Sequence, residues 1–398
     1  MHAAFAGPAE LVVERRSLYR LAAELVGATG DLPDDVLDNP LVRHLLGGAL
    51  ADRVDLAGRD LTMDRDAIGK VGHAGLPVVA DPVAQSALAD LLRVVGPVEG
   101  LRLITMADEE FDEVLDVVTD GVRLAREVGG TLAEDLLAHV DLVAVVDPAT
   151  AGGLVSASSR YFPGVVVVER PSTAVEVAEA LIHEGAHEKF FDLAITRSFF
   201  DVNSDLVEEF TPSWSGARWP FEQVFAAWHA YLCLAQFART ANGLTTGSGS
   251  LLPKAAERAA EIGEWLLARE AHLLHDAQLM LATALGSPYS GGSGILSSRP
   301  IPMNGCFVTN PLVSSSGLLP TGRTVVGRPG SPPDLFWLEN DSATVLDLLA
   351  KQVDGMSAED CLNAVRASWE VDVDRARERW LIALANLVHN QLIFSAGS

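Results

Sequence analysis

The sequence predicts a mainly helical α+β protein, a helical bundle with a small β-sheet beside a helix that carries His-Glu-x-x-His. Three observations predict it. Apolar residues recur at helical spacing through the first third, and two short β-rich runs (139–146 and 164–170) interrupt that pattern. The second run then leads into a long helical segment over 174–196.

The elements follow in chain order. In ELVVERRSLYRLAAELVG (10–27), Leu11, Leu18, Leu21, Ala22 and Leu25 fall at helical spacing, and a Gly closes the segment. Residues 83–95 and 108–128 repeat the pattern, the second opening with acids that suit a helix N-terminus. HVDLVAVV (139–146) and GVVVVER (164–170) are bounded by Pro and Gly and read as strands, and AGGLVSASSRYF between them reads as a loop or third strand. Ser172-Thr173 can cap the helix AVEVAEALIHEGAHEKFFDLAIT (174–196). Pro220 opens FEQVFAAWHAYLCLAQFART (221–240), where Val224, Phe225, Trp228, Leu232 and Phe237 form an apolar stripe. A further helix is expected over about 253–285. Residues 286–336 are dense in Gly, Ser and Pro, which predicts loops with a few small strands. Two or three helices close the chain. This divides it into a helical region 1–138, a sheet with the motif helices 139–285, a loop-and-strand region 286–340 and helices 341–398, expected to form one compact unit.

Composition narrows the function. The chain has 398 residues, 48% hydrophobic and 21% charged, so it can bury a large core. With 29 Lys and Arg against 54 Asp and Glu, its formal charge is −25. Such a surface repels phosphate backbones and anionic lipid, so no nucleic-acid and no membrane partner is expected, whereas basic peptides and metal ions are electrostatically easier. Three cysteines (Cys233, Cys306 and Cys361) form no CxxC pair, which excludes a disulfide framework and a thiolate zinc site. The N-terminus has no basic-then-apolar signal pattern, and no apolar run approaches ~18 residues. A cytoplasmic protein is the expectation.

One motif carries chemistry. His183, Glu184 and His187 form HExxH, placing two imidazoles one helical turn apart where both can reach one cation. Glu184 lies near the same metal, where it can take a proton or hold a water. The extended HExxHxxGxxH pattern is absent, since EKFFDLA follows His187. For the third ligand His229 is the first candidate, because it sits on the next helix beside the apolar stripe. Glu222 on that helix is an alternative, giving two His and a carboxylate as in non-haem Fe(II) oxygenases, and Glu208 or Glu209 is a third.

The stretch AEALIHEGAHEKFFDLA resembles the HExxH-motif proteins encoded beside ribosomally made, post-translationally modified peptides. Their best-understood members are Fe(II)/2-oxoglutarate-dependent peptide β-hydroxylases. The resemblance covers about 164–240 and includes a connector with Trp214, Arg218 and Pro220. It implies a dioxygenase in which His183, His187 and a third side chain, His229 first, hold Fe(II). 2-Oxoglutarate would chelate the metal and direct its distal carboxylate to a cation, Arg218 first and Arg239 second. Molecular oxygen and a precursor peptide would be the other partners, with Glu184 orienting a ligand or shaping the site. A zinc metallopeptidase that processes a peptide leader is the alternative, since strand-then-HExxH helix is equally its signature. A non-catalytic peptide-binding protein is the third class, and intact His183, Glu184 and His187 speak against it.

Overall fold

The computed structural model describes residues 7–396 except 31, 65–67, 74, 97–99, 201–207, 242–243, 245, 248, 286–305, 331–332 and 353–354. It is a mainly helical α+β protein. The first part of the expected 286–336 loop region lies outside the described residues. Where one compact unit was expected, the chain forms two. One comprises residues 1–15, 30–47 and 60–292, and the other 16–29, 48–59 and 293–398.

The first unit is built on a five-stranded sheet of β1 (Lys70–His73), β2 (Leu76–Val79), β3 (Leu142–Val146), β4 (Ser156–Ala157) and β5 (Val165–Glu169), in spatial order β1-β2-β3-β5-β4. β2, β3 and β5 run parallel, while β1 and β4 pair antiparallel at the two edges. The central strands are buried on both faces, which explains their near-continuous valine runs. Successive side chains alternate between faces. Val143, Val145, Val166 and Val168 meet the helical layer that contains Ala178 and Leu181, whereas Leu142, Ala144, Val165 and Val167 meet Val79, Leu91 and Leu92 on the other side.

The motif helix spans Ala174–Thr196, as the sequence predicts. Thr173 caps it in a capping box with Glu176, each side chain satisfying a backbone N–H of the first turn. It packs on the helices Phe111–Gly129, Thr131–Leu137 and Phe221–Thr240. Glycine permits two of these approaches. A Cβ on Gly121 would stand 2.3 Å from the Val177 Cβ, and one on Gly185 would stand 3.3 Å from Leu136.

Charges under the motif helix fix it in place. Buried Asp192 accepts from Arg15 Nη1 at 2.7 Å and lies 2.6 Å from His139 Nδ1. Lys189 donates to both oxygens of Asp135, at 2.7 and 2.9 Å, and Glu188 accepts from the Gly164 N–H at 2.6 Å. Arg43 pairs with Asp141 beside them. Burial opposes ionisation of Asp192, but the Arg15 guanidinium and His139 outweigh it and hold the carboxyl at about 2. Glu188 goes the other way: burial raises it well above the ordinary carboxylate range, against the Gly164 N–H and Arg43.

The expected 253–285 helix is broken into Ala255–Leu267 and His275–Leu285, with a 3₁₀ turn at Glu270–His272 between them. The β1–β2 hairpin lies in the region expected to be helical. The second unit has two three-stranded sheets, centred on Arg323–Arg328 and on Cys306–Thr309. Its core gathers Phe307, Leu346, Val365, Trp380 and Leu384 from those sheets and from the helices Asn340–Ala350, Ala358–Trp369 and Val373–His389.

Candidate metal centre

His183 and His187 lie on one face of the motif helix, ring centroids 5.0 Å apart and nearly perpendicular. Both are half-buried. Burial lowers His187 to about 4, with His183 adding to the effect and Glu184 opposing it. That imidazole is neutral at pH 7, the form that binds a metal. The Nδ1 of His183 is buried with no hydrogen-bond partner. A bound cation is one way to satisfy such a pair, so the two imidazoles fit a divalent transition metal.

Glu184 is buried, and both of its oxygens are occupied. Ser156 Oγ donates to Oε1 and Ser158 Oγ to Oε2, each at 2.7 Å. Both serines come from the edge strand β4 and the residue just after it, two apart, so the strand repeat turns both hydroxyls to the motif helix. They belong to the segment expected as a loop or third strand. The Ser-Ala-Ser alternation was the available signal, but it only becomes meaningful once β4 is placed beside Glu184.

His229 does not join the pair. It is fully buried, its Nδ1 lies 2.9 Å from the Ala186 carbonyl and its Nε2 lies 3.7 Å from Cys233 Sγ. The expected His229 ligation is therefore corrected: Nδ1 is engaged with the Ala186 backbone, Nε2 lies against Cys233, and among the described residues His229 forms no metal-holding group with His183 and His187. The alternatives are displaced as well. Glu222 is exposed and pairs with Arg160 at 2.6 Å, Glu208 pairs with Arg269, and Glu209 lies 3.5 Å from Arg218. Among the described residues no third His, Cys, Asp or Glu completes a metal-holding group with the pair.

The residue that does meet His183 from the next helix is Tyr231, ring centroids 5.3 Å apart. Its hydroxyl accepts from Arg258 Nη1 at 2.8 Å, and Trp214 closes against its ring at 5.9 Å. Neither expected carboxylate-binding arginine is here. Arg218 is 75% exposed, and Arg239 is exposed in the last turn of Phe221–Thr240. Tyr231 and Arg258 were missed because neither belongs to a recognisable spacing, whereas Trp214 lies in the connector that the resemblance had already picked out.

No protein-family model matches the chain, and no curated protein matches it. Among the described residues no helix is long and apolar enough to cross a membrane.

Proposed function

We propose that the chain is a cytoplasmic, non-haem Fe(II)- and 2-oxoglutarate-dependent dioxygenase that hydroxylates a side-chain β-carbon of a ribosomally made precursor peptide. The observation that carries this reading is the state of Glu184, whose carboxylate is tied at both oxygens by Ser156 and Ser158. A peptidase needs that carboxylate as a general base within reach of a water, whereas an oxygenase needs no acid or base from it.

His183 and His187 are the residues that would hold the iron. Bound there, the metal would supply oxidation of a C–H to a C–OH while 2-oxoglutarate and O2 become succinate and CO2. With only two imidazoles supplied by the described residues, such a metal would keep positions open for the co-substrate and oxygen. Tyr231, 7% exposed, covers one side of His183 and excludes water there. The clamped Glu184 holds the motif helix to β4, and β4 ends the sheet. An extended peptide pairing with that edge would run beside the two histidines. A net charge of −25 favours a basic segment of such a peptide.

A zinc peptidase that trims a leader is the second reading, favoured by the same antiparallel edge strand beside an HExxH helix. The visible spectrum of metal-free protein given Fe(II) and 2-oxoglutarate without oxygen separates the two. A metal-to-ligand charge-transfer band, absent in His183→Ala, is expected. No band, with zinc retained through purification, would overturn the oxygenase reading. Glu184→Gln gives an independent check, since it abolishes a peptidase but only impairs a hydroxylase.

A further inference from the structure

The motif helix has one accessible stripe. Between Val177 and Leu193 the residues Glu179, His183, His187 and Phe191 are half-buried, and the other thirteen are buried. Each of the four is four residues from the next, so they share one side of the helix at steps of about 6 Å. The helix phase fixes what flanks them. At roughly 100° per residue, Ala186 and Phe190 fall to one side of the stripe and Glu184 to the other. Ala186 and Phe190 meet His229 and Phe225 of the helix Phe221–Thr240, whereas Glu184 meets Ser156 and Ser158 at β4. The stripe is thus the floor of a groove, with that helix as one wall and β4 as the other. Arg160, two residues beyond Ser158, donates to Glu222 in the first turn of the helix at 2.6 Å and joins the walls. Because Phe225 stands at Phe190, this bridge lies past the Phe191 end of the groove. At the other end Glu179 accepts from Ser250 Oγ and the Leu251 N–H. The floor therefore runs from an acid through two imidazoles to a phenyl ring, which lies 6.3 Å from the His187 ring and 24° from parallel.

A half-buried phenylalanine is ordinary on a protein surface. What marks Phe191 is its register with the histidines. An extended chain repeats its side-chain direction every two residues, about 6.8 Å, close to the step of the stripe. A peptide lying along β4 presents every second side chain to the floor, so with one side chain at the histidines the side chain two positions away stands over Phe191. We propose that Phe191 determines substrate specificity, as the contact for an apolar side chain two residues from the one that reacts at His183 and His187. The occupant is an extended peptide segment with this apolar residue on one side of the reacting residue and a basic residue on the other, toward Glu179. Charge supports that polarity: Glu179 is the one acid of the stripe, and Arg160 and Glu222 offset each other at the opposite end. The inference rests on the peptide-modifying reading for its substrate class but not on the identity of the metal.

The test selects binders to the full chain from a displayed library of random heptapeptides. Wild type is expected to enrich a large apolar residue at one position and Lys or Arg on the far side of the peptide. Phe191→Lys is expected to exchange that apolar preference for Asp or Glu, which a merely structural role would not produce. In a selected peptide, replacing the apolar residue by Ala should weaken binding to wild type about ten- to hundred-fold, and binding to Phe191→Ala by less than about two-fold. Unchanged circular dichroism and Co(II) affinity show that the variants are folded. With Co(II) bound, paramagnetic broadening of the peptide protons should peak two residues from the apolar one. The inference is overturned if wild type enriches no apolar position, if Phe191→Lys enriches the same sequences as wild type, or if the broadening peaks at another spacing. The Fe(II)–2-oxoglutarate band is read separately. If it never forms while Phe191-dependent selection persists, the oxygenase reading falls and the groove stands as a peptide site. If it forms while Phe191→Lys selects as wild type does, the role of Phe191 falls and the oxygenase reading stands.

Discussion

Removing the serine clamp tests how Glu184 is held. Glu184 is 4% exposed, and each of its oxygens accepts one hydroxyl at 2.7 Å. A hydrogen bond to a charged acceptor contributes about 1.5–3 kcal/mol, so Ser156→Ala or Ser158→Ala alone should cost about 2 kcal/mol. The double variant leaves a buried carboxylate without either donor. Because both bonds serve one group, its cost should depart from the sum of the single costs by more than about 0.5 kcal/mol. Hydrogen exchange of the motif helix amides is the suitable assay, since it reads local opening within one unit of a two-unit chain. In a Glu184→Ala background the same serine changes should cost less than about 0.5 kcal/mol. Equal costs with and without Glu184, or single costs near zero, would refute the clamp and remove the main argument against a free general base.

Four further outcomes are expected. Asp192 is held at about 2 against an ordinary 3.8, which corresponds to about 2 kcal/mol of stability. Because the folded value is the lower one, that stability is present above pH ~4 and lost as pH falls toward 2, and acid unfolding of Asp192→Asn should lack this component. Arg15→Met leaves Asp192 buried without its main partner and should cost about 3–5 kcal/mol in urea unfolding at pH 7. His229→Leu should leave Co(II) affinity unchanged while His187→Ala abolishes it, and a loss in His229→Leu with the fold intact would restore the histidine triad. Gly121→Ala forces a Cβ against Val177 and should destabilise the contact with the motif helix by about 1–3 kcal/mol, read as a lowered urea midpoint.

What the sequence made legible follows how locally each feature is determined. The helices 174–196 and 221–240 are visible because a capping pair and an entry proline mark their starts, and tertiary packing did not move them. The strands at 142–146 and 165–169 show as valine runs because both of their faces are buried. By contrast β1 and β2 have four residues each and little alternation to read. The Arg15–Asp192–His139 cluster joins residues up to 177 positions apart, and nothing local marks it. Ser156 and Ser158 are ordinary loop residues until β4 pairs with β5 and turns them toward Glu184.

The choice between His229 and Tyr231 shows why the third position was misjudged. The helix Phe221–Thr240 runs back along the motif helix, so Phe225 meets Phe190, His229 meets Ala186 and Tyr231 meets His183. Two residues along an α-helix turn the side chain by roughly 200°, so a helix that offers Tyr231 to His183 must carry His229 elsewhere. An amphipathic helix would have displayed that choice in its apolar pattern, but His229 and Tyr231 are both buried and both flanked by apolar residues. Residue type then favours the histidine, while the helix phase selects the tyrosine. What Tyr231 brings to His183 is an aromatic ring whose hydroxyl accepts from the Arg258 guanidinium. Among the described residues the pair therefore has no third His, Cys, Asp or Glu, and an aromatic ring backed by a guanidinium stands where the histidine was expected.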